Sequence, residues 1–196
     1  MAGYIGNKAV NLSTSGADIS GTANLDVIDV DGAANFAADI TFADGADIIT
    51  ASAGTSNFRA GVNAGNSITS GGKYNVVVGD EAGTAITTGD NNVSVGYQSL
   101  AANTTASSNT AVGYQALYDN TTAERNTAVG RLAAANTTTG ADNTVMGSAA
   151  LTTNTTGANN IAIGASALRL NTTASNNTAV GYEAGYANTT GANLVA

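Results

Sequence analysis

At 196 residues the chain has the length of one or two domains, but aromatic residues make up only 5% of it and Ala dominates its apolar fraction, so it lacks the bulk for an ordinary globular core. Pro, Cys and His are all absent, which excludes disulfides, thiolate and imidazole metal sites and His-based acid/base catalysis together. Fourteen acidic residues against six basic give a net charge of -8 with no Lys/Arg cluster, a balance that repels a phosphate backbone and argues against a nucleic-acid partner.

The chain opens Met-Ala-Gly-Tyr-Ile-Gly-Asn-Lys, with no basic stretch leading into an apolar run, and no later apolar stretch is long enough to span a bilayer as a helix. The expectation is a soluble chain made without a secretion signal and not inserted in a membrane. Residues 1–52 carry seven of the eleven Asp: Asp18, Asp26, Asp29, Asp31, Asp39, Asp44 and Asp47. Alternating runs at 25–30 and 38–42 predict short strands, with turns at Asp31-Gly32 and Asp44-Gly45. We read 1–52 as a small β-rich N-terminal attachment segment. Its cluster Asp26, Asp29, Asp31 invites a calcium reading, but the spacing matches no loop motif, and Asp is common at strand edges and turns. No metal site and no cofactor is expected.

Residues 53–74 form an atypical edge repeat. Asn57 stands four places before Gly61, and Ala64 and Gly65 fall where Ala82 and Gly83 follow Gly79, yet the step from Gly61 to Gly79 is longer by one than every step that follows. Terminal units of a stack depart from the consensus because one face has no neighbour.

From 75 to 196 the sequence falls into seven repeats with a constant period of 96 - 79 = 17, without insertion or deletion. The repeat glycines are Gly79, Gly96, Gly113, Gly130, Gly147, Gly164 and Gly181, with Gly61 as the edge member. Four places before each full-repeat glycine stands an Asn: Asn75, Asn92, Asn109, Asn126, Asn143, Asn160 and Asn177. The slot before it is Val78, Val95, Val112, Val129, Met146, Ile163 and Val180, mostly branched residues that argue for strand. Three and four places after the glycine come a small residue and often Leu, as in Ala116-Leu117, which we read as a second, shorter strand. A Thr pair such as Thr104-Thr105, with Asn ahead and Gly or Ala behind, has turn composition.

A unit of this length is too short for a strand-helix pair and fits one β-coil. Stacked at about 4.8 Å, seven coils would build a rod about 34 Å long. The fold class expected is therefore all-β: a parallel β-solenoid, or β-roll, with a small β-rich N-terminal segment. The fixed Gly implies a positive φ or a close backbone approach, and the recurrent Asn would stack as an amide ladder. A core of one branched residue and one Leu per coil is thin. The strand positions three and one before Gly, such as Thr110 and Val112, share a face opposite the small residues. We expect the small face inside the coil and the branched face packed on copies of the same chain, three around an axis being the simplest closed arrangement.

Asn-Thr-Ala-Val-Gly at 109–113 and Asn-Ile-Ala-Ile-Gly at 160–164, each followed by Ala three places on, resemble the head repeats of trimeric autotransporter adhesins of the YadA type. That resemblance, over about 57–193, implies a parallel β-roll in which three chains share a core; the period departs from the shorter repeat of that family. The longer repeat found here, headed by Met-Ala-Gly-Tyr-Ile-Gly, looks more like tail-fibre proteins of marine bacteriophages. It implies a structural role in the virion: a homotrimeric shaft, docked on other tail proteins by its N-terminal segment and projecting a host-binding tip. Bacterial surface adhesin and ice-binding solenoid are the alternatives, the latter suggested by the Thr pairs. No catalytic residue is expected, since Glu81 and Glu183 hold equivalent slots far apart and neither has an evident general-acid partner. Tyr97, Tyr114 and Tyr182 read as an edge ladder with a capacity to stack on sugars. The sequence stops at Leu194-Val195-Ala196 where another strand is due, so we also expect a longer protein whose remainder carries the contact with the host surface.

Overall fold

The computed structural model describes residues 56–68 and 71–196. Among them every strand is three residues long: β1 Phe58–Ala60, β2 Val76–Val78, β3 Val93–Val95, β4 Thr110–Val112, β5 Thr127–Val129, β6 Thr144–Met146, β7 Ile161–Ile163 and β8 Thr178–Val180. They form one parallel sheet in sequence order. Phe58 stands opposite Val76, a shift of 18, while Thr110 stands opposite Thr127, the shift of 17 kept by all later neighbours. Parallel neighbours need a crossover of a dozen or more residues. The 17 - 3 = 14 residues outside each strand supply it, and the chain is a parallel β-solenoid. The strands expected at 25–30 and 38–42, their Asp-Gly turns and the Asp26, Asp29, Asp31 cluster lie outside the described residues.

Each strand from β2 to β8 is buried at its middle residue and half-buried or exposed at its two ends, as alternation requires. The inward residues are small or medium, such as Ala111, Ala128 and Val145. They pack on the small residue and the Leu that follow the glycine, giving one cluster that runs from Leu100 to Ala179 and a second around Val77 and Ile86. Between the two clusters lies a polar layer: Ser94 and Ser99 are fully buried with their hydroxyls 2.7 Å apart. Ser94 also donates to the Ser99 carbonyl and Ser99 to the Gly96 carbonyl, so neither hydroxyl is stranded.

The second strand expected in each coil is absent; turns occupy that stretch throughout the described residues. The reason lies in burial and backbone sign. Ala116 and Leu117 are adjacent and both fully buried, which a strand cannot do because its side chains alternate. Left-handed backbone at Gln115 (φ 52°) and Leu117 (φ 49°) turns both inward instead. Ala116 N–H then donates to Gly113 O at 3.3 Å, and Asn120 N–H to Leu117 O at 3.2 Å. Single non-Gly residues in this region are uncommon. Here the bonds between coils hold them: Gln115 N–H reaches Tyr97 O in the coil before, and Leu117 N–H reaches Ala133 O in the coil after.

The corner after each strand is glycine for two reasons. Gly113 has φ 134°, a conformation closed to L side chains, and a Cβ built on it would stand 2.6 Å from the carbonyl oxygen of Gly130. Gly181, the last of the row, has φ 138° but only Ala184 within reach of such a Cβ, at 3.8 Å.

Candidate functional site

Several rows run along the solenoid, each built by one residue per coil falling in register. The innermost is the asparagine row before the strands. Asn109 and its equivalents are buried, and each side-chain oxygen accepts the backbone N–H of the next Asn: Asn92 N–H to Asn75 at 2.9 Å, Asn126 N–H to Asn109 at 2.9 Å, Asn177 N–H to Asn160 at 3.0 Å. The amide nitrogen donates across the coil to a turn carbonyl, as Asn109 does to Ala123 at 2.9 Å and Asn143 to Gly157 at 3.0 Å. In Asn75, Asn92, Asn143, Asn160 and Asn177 it also reaches the preceding Asn oxygen, at 3.0–3.1 Å. Asn57 belongs to the same row, with Asn75 N–H 2.8 Å from its oxygen. At the other end Leu194 occupies the next place and its N–H donates to Asn177 at 2.9 Å.

A second asparagine row shares the turn carbonyls with the first, and in the sequence it is not separable from turn composition. Asn103, Asn120, Asn154 and Asn171 are fully buried. Each donates to the carbonyl three residues on, Asn120 to Ala123 at 3.0 Å and Asn154 to Gly157 at 2.9 Å. The Ala123 carbonyl thus closes the turn by accepting from Asn120 and Asn109 together. Their recurrence at one fixed place in the repeat was the available signal. This row is interrupted: Ile86 and Thr137 replace Asn, and the side-chain oxygens of Asn103 and Asn171 have no partner.

The Thr pairs divide their work. The first Thr is half-buried in most coils and donates its hydroxyl to the same carbonyl of the next coil, Thr121 to Thr138 at 3.2 Å and Thr138 to Thr155 at 3.1 Å. The second, as in Thr105, Thr122 and Thr139, is exposed.

Two rows face outward. One is the strand surface, where Val78, Val95, Val112 and Val129 are half-buried while Met146, Ile163 and Val180 are exposed. The other follows the corner glycines. Tyr97 and Tyr114 stack with ring centroids 5.6 Å apart and planes 22° from parallel. Beside them runs an amide chain, with Gln115 donating to Gln98 at 2.8 Å and Gln98 to Glu81 at 2.5 Å. The Glu81 charge, with some burial and the Asp80 charge, raises the Tyr97 hydroxyl above the usual phenol value. Tyr182 lies apart from this pair, its hydroxyl raised by a hydrogen bond with Glu183. Glu81 and Glu183 occupy equivalent places at opposite ends of the full repeats.

The charged contacts elsewhere are peripheral. Arg125 donates to both oxygens of Asp142, at 2.7 and 3.0 Å, and to Glu124 at 3.0 Å, all exposed. Those bonds hold the Asp142 carboxyl below its usual value. Among the described residues, no group of three or more carboxylate, His or Cys side chains is placed to hold a metal ion.

Comparison with protein-family models, curated proteins and solved structures finds no match. The surface itself has to carry the functional argument. It presents an uncovered row of branched and apolar side chains along the strand face, a stacked pair of tyrosines and a row of exposed threonines.

Proposed function

We propose that the chain is a structural fibre protein: a shaft segment in which three copies pack side by side through the outward strand face, most simply as part of a viral tail fibre. In this reading the N-terminal segment docks on other tail proteins and the shaft projects a host-binding tip. Its function is stiffness and reach. The observation that carries the reading is the strand face, where Val, Ile, Met and Thr repeat outward in register through β2 to β8. Such a face exposed along a whole rod is a liability for a lone chain and a natural contact for copies of itself. The buried rows support the rest: each coil is tied to its neighbours by asparagine, threonine and backbone bonds directed from coil to coil.

Light scattering on the purified chain tests assembly, with a mass three times that of the 19.1 kDa chain expected. A folded species of 19.1 kDa would overturn the reading. Imaging of a labelled chain on the particle tests the virion assignment separately.

The exposed second Thr of each pair favours a look at the ice-binding alternative. The first Thr gives its hydroxyl to the backbone, as Thr121 does to Thr138, so the pair offers one free hydroxyl rank. That supports the shaft reading over an ice-binding face, and a thermal-hysteresis measurement would reverse the preference if positive.

A further inference from the structure

The Asn-Thr-Thr turns have the form Asn-x-Ser/Thr, the acceptor triplet for Asn-linked glycan transfer, which ordinarily marks a surface loop of a secreted chain. In this fold five of these triplets do the opposite. Asn92, Asn103, Asn120, Asn154 and Asn171 each open such a triplet, and each is fully buried. Their side-chain nitrogens are committed as well. Asn92 gives its two amide hydrogens to the Asn75 oxygen at 3.1 Å and the Ala106 carbonyl at 3.0 Å. Asn171 gives its two to the Asn154 oxygen at 3.3 Å and the Ala174 carbonyl at 3.0 Å. Asn120 donates to Ala123 at 3.0 Å, which closes its own turn.

Glycan transfer would join this nitrogen to the anomeric carbon of a sugar, with a lipid-linked oligosaccharyl diphosphate as donor. The nitrogen gives up one proton, and the lipid diphosphate leaves with the electron pair of the broken C–O bond. The product keeps one N–H where Asn92 and Asn171 use two, so a buried carbonyl loses its donor. It also sets a hydrated sugar at a position from which solvent is shut out on every side, and neither coil could close around it. Two triplets differ. In the coil that follows β5 the Asn stands one place early, so Asn136 is exposed and Thr137 takes the buried place in the row. Asn176, which opens Asn176-Asn177-Thr178, is exposed too.

We infer that Asn-linked glycosylation and folding exclude each other at Asn92, Asn103, Asn120, Asn154 and Asn171, so the rod is built only where its nascent chain is out of reach of oligosaccharyl transfer. Asn136 and Asn176 are positions where the folded rod accommodates a glycan. This holds whether or not copies of the chain pack together, and so goes beyond the fibre reading: it concerns the route by which the chain is made.

The test makes the full chain in a bacterial cytoplasm and, behind a cleavable secretion signal, in a eukaryotic cell. The cytoplasmic chain is expected to give the circular dichroism of a β-fold and to resist protease; the secreted one is expected to carry glycans and do neither. Blocking synthesis of the lipid-linked donor in the same cell should restore the fold with no substitution. A combined variant should restore it as well: Thr105→Ala, Thr122→Ala, Thr156→Ala and Thr173→Ala act at exposed side chains, and Ser94→Ala copies Ala111 in the next coil. Peptide mapping of that secreted variant should find glycan at Asn136, lost in Asn136→Gln with the fold kept. A natural chain that folds when secreted with the donor present would overturn the exclusion, and so would a chain that stays unfolded when the donor is blocked.

Discussion

Replacing Gly113 with Ala sets a side chain against the Gly130 carbonyl and into a backbone conformation closed to it, so a loss of about 3 kcal/mol or more is expected. Gly181→Ala keeps the conformational strain, at φ 138°, without the clash, and should cost about 1–2 kcal/mol. Denaturant titration of the two variants separates close approach from φ, two causes that the sequence leaves joined in a single row of glycines. The asparagines allow a sharper test. In Asn126→Asp one oxygen still accepts from Asn143, but the atom that faced the Gly140 carbonyl loses its proton when the carboxyl ionises. Burial and that carbonyl raise the folded-state pKa of the new carboxyl above its unfolded value. Stability is then greatest below the ordinary carboxylate value of about 4 and falls as pH rises through the raised value. Melting this variant from pH 3 to 7 should show the decline, and an unperturbed profile would place residue 126 in solvent. These two rows were legible beforehand because identical residues recurring in register have few alternative explanations. The left-handed turn at Leu117 was not, since nothing in Leu favours that backbone; bonds to the coils on either side impose it.

Within a coil, two positions share one space. Gly83 accompanies Ile86 and Gly65 accompanies Ile68, and a Cβ on either glycine would lie 2.8 Å from the Ile Cδ1. In four other coils the large residue moves to the first position and Asn takes the second, as in Leu100 with Asn103 and Leu117 with Asn120. The two solutions should not mix. Asn103→Ile alone is expected to overpack against Leu100 and cost about 1–3 kcal/mol, even though it removes an oxygen that has no partner. Adding Leu100→Gly should recover most of that loss, since φ at residue 100 is already 47° and suits glycine. A double-mutant cycle measures the coupling, and additive effects would mean the side chains do not compete. Sequence alone showed the Gly, Ala and Leu variation at this slot as mere tolerance. Its compensation three residues later becomes visible only once Ile86 is seen to fill the place of a side chain at Gly83.

Across the described residues, order is nearest-neighbour: β4 pairs with β3 and β5 and with no other strand, and both asparagine rows and the Thr row pass to adjacent coils. Stability in such a stack is a sum over units and their junctions. Removing residues 109–125 would bring Asn126 to the place of Asn109, and the shortened chain is expected to keep its circular dichroism per residue and melt only slightly lower. Removing one residue more puts Thr127 in the asparagine row and should abolish folding of the coils beyond it, which the same spectrum would report as lost signal. Where a turn carbonyl accepts from both asparagine rows, as at Ala106, Ala123, Gly157 and Ala174, the junctions are alike, and these coils are not tied to their ordinal places. A gene for such a rod can be lengthened or shortened by whole repeats through recombination between its own copies of the unit, without redesign at the seam. Reach would then be adjustable on the timescale of replication errors, while the ends of the rod stay as they are.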